Sequence, residues 1–277
     1  MPQNVLHAEN VRKIFYVYTD PTAGTTVVSS KKQWTLNLWK RRNTYELVAL
    51  DDISMEIYPN ELVALLGPSG CGKSTVLRIF AGLETPTTGQ VTFKGQVIKG
   101  PSPQRAMVFQ SERAVFPWLT VEKNIELGPK LQGIPKAERE ERSQKIIQLI
   151  QLDGFSKTYP ATLSGGMLQR VAVGRALINR PEVLLMDEPF GALDAMTRNA
   201  LQDHLIRIWE ETRQTIVFVT HDIEEATYLA NRIVVMHPRP GRVKGVVPVT
   251  LPHPRNRTDS TFVEARRKVA ELLGGAQ

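Results

Sequence analysis

The stretch GPSGCGKST, residues 67–75, carries the most specific chemistry in the chain. Gly67, Gly72, Lys73 and Ser74 fall at the fixed places of the pattern G-x-x-x-x-G-K-[ST]. Glycines there let the backbone wrap tightly, so that successive N–H groups point inward at phosphate oxygens. Lys73 is placed to neutralise the β- and γ-phosphates of a nucleotide, and Ser74 offers a hydroxyl to Mg²⁺. Pro68, Ser69, Gly70, Cys71 and Thr75 complete the loop and are expected to share in nucleotide binding. With glycine near 7% of residues in general, a chance match somewhere in 277 residues arises on the order of 1% of the time. Cys71 is the only cysteine. Its place beside Lys73 at a helix start is expected to lower its thiol pKa, with bound nucleotide covering it.

The elements around the loop support this reading. LVALL precedes it as an apolar strand, and KSTVLRIFAG follows with Val76, Leu77 and Phe80 on one helical face. Residues 5–15 and 47–66 carry short, partly alternating apolar stretches that read as strands, and 89–99 reads as a hairpin. From 120 to 155 the pattern is helical, with Ile146, Leu149 and Ile150 on one stripe, and another helix starts near Gly165. VLLM at 183–186 and TIVFVT at 215–220 are short, wholly apolar runs of the kind buried in a parallel sheet. The Pro-rich tail from Pro238 reads as weakly ordered strand and loop.

Composition sets outer bounds. The formal net charge of +7 suggests anionic partners without choosing among nucleotides, nucleic acid and lipid. One cysteine excludes an intrachain disulfide. The N-terminal residues lack the charged and apolar regions of a secretory signal, and no run nears the roughly 18 apolar residues that span a bilayer.

Four further strings follow the phosphate loop in order: LSGGM at 163–167, Asp187-Glu188 at the end of an apolar strand, GALD at 191–194, and His221. Lys73 and Ser164 are 91 positions apart, room for a helical insertion, and Ser164 and Asp187 are 23 apart. Together they resemble the nucleotide-binding subunit of ABC transporters over nearly the whole chain. The resemblance implies an α/β fold: a P-loop NTPase (RecA-like) core with an N-terminal antiparallel β subdomain and an inserted α-helical subdomain. It implies one nucleotide-binding domain over 1–277, with core residues 1–110 and 166–277 and helical residues 111–165. ATP and Mg²⁺ are the implied cofactors. Ser164, Gly165 and Gly166 match the signature that meets the γ-phosphate held by a second copy, a helix N-terminus offered to an anion. Asp187 matches the acid that orients Mg²⁺, together with Ser74 and Gln110. Glu188 matches the glutamate that deprotonates the attacking water. Gln110 matches a residue that touches Mg²⁺ or water and reports nucleotide state to the helical subdomain, and His221 the switch histidine that contacts the γ-phosphate across the dimer. Asp194 matches the residue coupling the two sites, and Phe15, with Tyr16 as its neighbouring candidate, the ring that stacks on adenine. Three positions depart from the usual pattern: Met167 replaces Gln, Asn60 replaces Gly before Glu61, and Gly174 replaces a helical Ala.

Within the family, FPWLTVEKNIELG, LSGGMLQR, DEPFGALDAMTR, VTHDIEEA and RPGRV look like the nitrate/sulfonate/taurine importer branch. That implies a second copy of this subunit, two separate transmembrane permease subunits and an extracytoplasmic solute-binding protein, with no nucleic acid. It also implies a peripheral protein on the cytoplasmic face of the inner membrane. Phe116, Pro117 and Trp118 lie where the family's groove receives the permease; core packing is the other reading. The net charge alone suggests a nucleic-acid ATPase, but such relatives usually carry two cassettes or a long coiled coil. A non-catalytic regulatory cassette is argued against by Glu188 and His221. Residues 16–47 look like a basic insertion, a loop in which Lys31, Lys32, Lys40, Arg41 and Arg42 flank Trp34, Leu36, Leu38 and Trp39. Such a pattern suits a solvated loop, or contact with anionic lipid or an acidic partner.

Overall fold

The computed structural model describes residues 4–20, 25–30, 43–109, 115–191 and 193–274. Its centre is a six-stranded sheet. Five strands are parallel: β4 (Leu62–Leu66), β7 (Arg105–Val108), β8 (Val183–Asp187), β9 (Thr215–Thr220) and β10 (Arg232–His237). The strand β11 (Arg242–Pro248) closes one edge antiparallel to β10, giving the order β11-β10-β4-β9-β8-β7. Every residue of β4, β8 and β9 is buried, which is why these strands are apolar throughout rather than alternating.

Alternate residues of those strands divide between two cores. Leu62, Ala64, Leu66, Leu184, Met186, Ile216 and Phe218 face α4 (Gly165–Leu177), α5 (Ala195–Thr212), α6 (Ile223–Leu229) and α7 (Ser260–Gly274). Val63, Leu65, Leu185, Val217 and Val219 face α1 (Lys73–Ala81) and an antiparallel sheet. In that second sheet β1 (Leu6–Asp20) pairs with β3 (Asn43–Ile57) along one edge. Its other edge is shared between β5 (Thr88–Phe93) and β2 (Thr25–Ser29). The expected hairpin is present as β5 and β6 (Gln96–Val97). The helices α2 (Val121–Leu131) and α3 (Lys136–Leu149) lie between β7 and α4 in the chain.

Two expectations need correction. Residues 16–20, 25–29 and 43–47 are strand rather than loop, because β1 and β3 keep pairing from Tyr16↔Glu46 out to Thr19↔Asn43. The basic and aromatic residues 31–42 lie outside the described residues. The tail is ordered further than its prolines suggest: β11 joins the sheet, and α7 buries Phe262 and Val269, two turns apart on one stripe. Gly174, where the family usually has Ala, is buried, and a methyl there would sit 3.0 Å from Ile150 Cδ1 and 3.1 Å from Ile146 Cγ2. The strand β7, absent from the sequence reading, has only four residues and opens on Arg105.

Arg255 anchors the tail. Its Nη1 donates to the carbonyls of Thr227, Tyr228 and Ala230 at 2.6–3.2 Å, and its Nε to Leu251 at 3.1 Å. It thereby satisfies carbonyls that α6 leaves unpaired at its C-terminal end. Burial lowers its pKa to about 10, so the guanidinium stays charged at neutral pH. Replacing Arg255 with Met leaves those carbonyls buried and unpaired, and should lower unfolding stability by roughly 2–4 kcal/mol in urea titrations without changing nucleotide affinity.

Candidate nucleotide site

The functional residues gather where the parallel strands end. In open α/β sheets ligands bind beyond the carboxyl edge, and here β4, β8, β9 and β10 all leave the sheet on that side. Leu66 is level with Thr220 and Asp187 with Val219, so the phosphate loop, the Asp187-Glu188 pair and His221 emerge side by side. The loop then turns directly into α1 through Gly72, whose φ of 93° and place 2.9 Å (at its would-be Cβ) from the Ala49 carbonyl exclude a side chain.

A cleft of about 500 Å³ opens there, lined by Ser69, Gly70, Gly72, Lys73, Ser74 and Thr75 with Phe15, Glu188 and Arg239. Phe15 thus sits at the cleft as expected, on β1 beside Leu47 of β3, with the Lys13 ammonium 4.9 Å from its ring centre. Tyr16 is not among the residues lining it. Lys73 is buried and its Nζ donates to the Gly67 and Pro68 carbonyls at 2.6 and 2.9 Å, which pins the lysine under its own loop.

Ser74 Oγ donates to Asp187 Oδ1 at 2.7 Å. A hydroxyl and a buried carboxylate therefore converge at the phosphate end, a hard-oxygen pair suited to Mg²⁺ shared with substrate phosphates. Among the described residues no group of three or more His, Cys, Asp or Glu could hold a metal. Glu188, one residue on, has a φ of 44°, which no ordinary strand residue adopts. That turn sends it away from Asp187's path, and its Oε2 lies 3.6 Å from His221 Nδ1. Glu188, 20% exposed, lines the cleft, and His221, 56% exposed, borders a small cavity that Glu188 shares with it.

The remaining expected residues are elsewhere. Ser164 caps α4, its hydroxyl accepting from the Met167 N–H at 3.3 Å, and Gly165 and Gly166 form the first turn. Asp194 caps α5, accepting from the Thr197 N–H at 3.0 Å; that backbone hydrogen bond holds its carboxyl below the usual range. A methyl on Gly166 would meet Thr197 Cγ2 at 2.7 Å, so the two caps belong to one packed corner. None of the four lines the cleft. Gln110 lies outside the described residues.

Cys71 corrects its expectation. Its side chain is fully buried under the loop, within the core that holds Leu50, Val76 and Met236, and burial pushes its thiol pKa up despite the Lys73 charge. Asn60, by contrast, has the left-handed backbone expected where the family usually has Gly, at φ 63°.

The sequence matches the ABC transporter family over residues 50–191, about half of the chain. The chain belongs to the ABC transporter family. An ABC transporter ATP-binding protein described as uncharacterized, from Methanocaldococcus jannaschii, is 51% identical over 83% of this chain and 86% of its own length. An aliphatic sulfonates import ATP-binding protein of Bacillus cereus is 45% identical over 83% of this chain and 90% of its own. Among solved structures, a dimeric ATP-binding cassette bound to ADP and phosphate aligns with a TM-score of 0.68 at 28% identity, covering 89% of this chain and all of that one. A cassette of a Clostridium perfringens ABC transporter complex aligns at 0.69 and 25% identity, over 87% of each chain. Like these ABC cassettes, the chain has a P-loop NTPase core of mixed α/β layers, and it is an ATPase.

Sequence reasoning missed Glu225 in this ABC cassette. It is 7% exposed, takes a 3.2 Å hydrogen bond from Thr220 Oγ1 on one carboxyl oxygen, and leaves Oε1 without a hydrogen-bond partner among the described residues. It borders a small cavity with Glu188, Arg198, Thr220, His221 and Asp222. Only its place in the first turn of α6, next to the exposed-side Glu224, is visible in the string, and burial is not.

Two predictions follow from these buried groups. Cys71 should resist maleimide in the native protein with or without Mg-ATP, and react fully once urea unfolds the chain; mass spectrometry reads both states. Burial, with Asp222 and Glu188 nearby and Arg198 and Thr220 opposing, raises the Glu225 pKa to about 8. The folded state then holds a proton that the unfolded carboxyl releases near 4.5. The stability this contributes is complete below pH 4.5 and lost as pH rises through about 8. Glu225→Gln should therefore gain stability over the parent as pH climbs through that window, by at most about 1.4 kcal/mol per pH unit, in melting curves taken across it.

Proposed function

We propose that this chain is the ATP-hydrolysing subunit of an importer for a small anionic or zwitterionic solute of the sulfonate type. The observation that carries the catalytic part is that Ser74 and Glu188 line one cleft with the phosphate loop, Asp187 accepting a hydrogen bond from Ser74 and His221 lying beside Glu188. The solute class rests on the 45% identity to aliphatic sulfonate import subunits. The expected permease partners are separate chains, since no helix among the described residues is long and apolar enough to cross a membrane. The exposed Trp118, 69% accessible and tilted against Phe116, whose ring carries the Arg175 guanidinium at 4.4 Å, is the anchor for such a permease. On this reading the subunit is peripheral on the cytoplasmic face of the membrane, with a solute-binding protein acting on the far side.

Phe15 stacks on the adenine, and the loop amides and Lys73 hold the β- and γ-phosphates. Ser74 and Asp187 hold Mg²⁺, which supplies charge neutralisation on the phosphates when bound. Glu188 accepts a hydrogen bond from the attacking water and takes its proton; His221, beside Glu188, contacts the γ-phosphate. Ser164, Gly165 and Gly166 lie off the cleft of their own chain, so a second copy brings them to the γ-phosphate, with Asp194 at the seam. The dimeric state of the ADP- and phosphate-bound cassette is consistent with this division.

Replacing Glu188 with Gln should leave Mg-ATP affinity intact and slow hydrolysis by about 10²–10⁴-fold, the usual contribution of a positioned base. ATP then persists, and the variant should elute as a dimer in ATP but not in ADP. An unchanged steady-state ATPase rate would overturn the role of Glu188. Sulfonate-dependent ATPase activity of the assembly reconstituted in liposomes tests the solute class.

A further inference from the structure

The turn between β10 and β11, where the string RPGRV begins, approaches the cleft. Arg239 lines the cleft alongside the phosphate loop. Its Nη2 and Nε lie 3.3 and 3.8 Å from where a Cβ on Gly70 would stand, so the guanidinium rests over the rim of that loop. The base-side wall, by contrast, is built by Phe15, Leu47, Val48 and Ala49 on β1 and β3.

Topology explains the approach. β10 is the direct parallel neighbour of β4, so the segments leaving both strands emerge together at the carboxyl edge. The turn is then clamped in place. The Gly241 N–H donates to the Ala49 carbonyl at 3.0 Å, and the Gly241 carbonyl accepts from the Asp51 N–H at 2.9 Å. A methyl at 241 would stand 2.2 Å from the Cys71 carbonyl, so the turn lies directly against the outside of the phosphate loop. Only glycine allows that approach.

The charge on Arg239 is also uncommitted. Arg242, on the same turn, is paired with Asp51, which Arg12 also approaches. Arg239 has no ion pair and no hydrogen bond among the described residues. A guanidinium without a counter-charge at the rim of the phosphate loop raises the local anion affinity and offers forked donors suited to phosphate oxygens.

We infer that Arg239 is a nucleotide-contacting residue, its guanidinium bonding the phosphate chain from the rim of the loop opposite Lys73. The inference rests on the cleft being the nucleotide site, and the experiment separates the two. Binding of Mg-ADP and of adenosine is measured by calorimetry on the purified chain, without hydrolysis as a readout. Lys73→Ala should abolish Mg-ADP binding; if it does not, the reading of the cleft itself fails. With that control in place, Arg239→Ala and Arg239→Gln should each weaken Mg-ADP about 10- to 100-fold, the range of a charge-assisted hydrogen bond. Arg239→Lys should recover part of the loss, and adenosine should bind all three variants as it binds the parent. Parental Mg-ADP affinity in Arg239→Ala and Arg239→Gln would overturn the inference, as would an equal loss for adenosine, which would place the contact on the nucleoside instead. The side chain is exposed, so an unchanged melting temperature is expected and checks that the fold is intact.

Discussion

Five residues, Leu62–Leu66, hold the cleft together. Their strand is hydrogen-bonded on one side to β9 and on the other to β10, and it runs straight into the phosphate loop. Its register is pinned at the far edge of the sheet. There the Leu62 N–H donates to Asn231 Oδ1 at 2.9 Å, the Asn231 N–H to the Leu62 carbonyl at 2.7 Å, and the Asn60 N–H to Thr215 Oγ1 at 3.0 Å. Slipping β4 by one residue would exchange its two buried faces, putting Leu62, Ala64 and Leu66 where Val63 and Leu65 pack. It would also displace the phosphate loop from Glu188, His221 and Arg239 together. Site geometry and core packing are therefore enforced by the same ladder.

Buried charge is handled in three ways around this frame. Lys13 is almost wholly enclosed, paired with Glu84 and donating to the Thr85 carbonyl, both at 2.8 Å. That fixes the stretch of β1 that presents Phe15, at the desolvation cost that any enclosed ion pair carries. Arg255 has no carboxylate beside it but is solvated by carbonyls. Glu225 has only one hydroxyl partner, and its carboxyl answers by holding its proton.

What the sequence reveals and conceals follows from locality. The phosphate loop needs its glycines, lysine and serine within nine consecutive residues, so the string displays it whole. The apolar runs of β8 and β9 are equally plain, because burial on both faces demands them. Cys71 was misjudged because its neighbours in the string, Lys73 and the helix start, are polar, while its neighbours in space are Leu50, Val76 and Met236. The helix α7 was hidden by the prolines ahead of it, although Phe262 and Val269 carry its stripe. The extension of β1 and β3 beyond Phe15 depends on cross-strand pairing, which a Thr- and Ser-rich composition does not announce. Glu225 and Arg239 acquire their surroundings from strands and helices distant in the chain, and their types alone say nothing of it.

The corner where Gly166 meets Thr197 has a mechanical meaning. There is no space for even one methyl between the first turns of α4 and α5. Helices touching so closely at their ends cannot slide past each other without a clash, and cores packed to this density respond to load by rotating as blocks. Ser164 and Asp194 therefore begin their helices at one shared corner, where a shift of either first turn toward the other meets Thr197 or Gly166 at once.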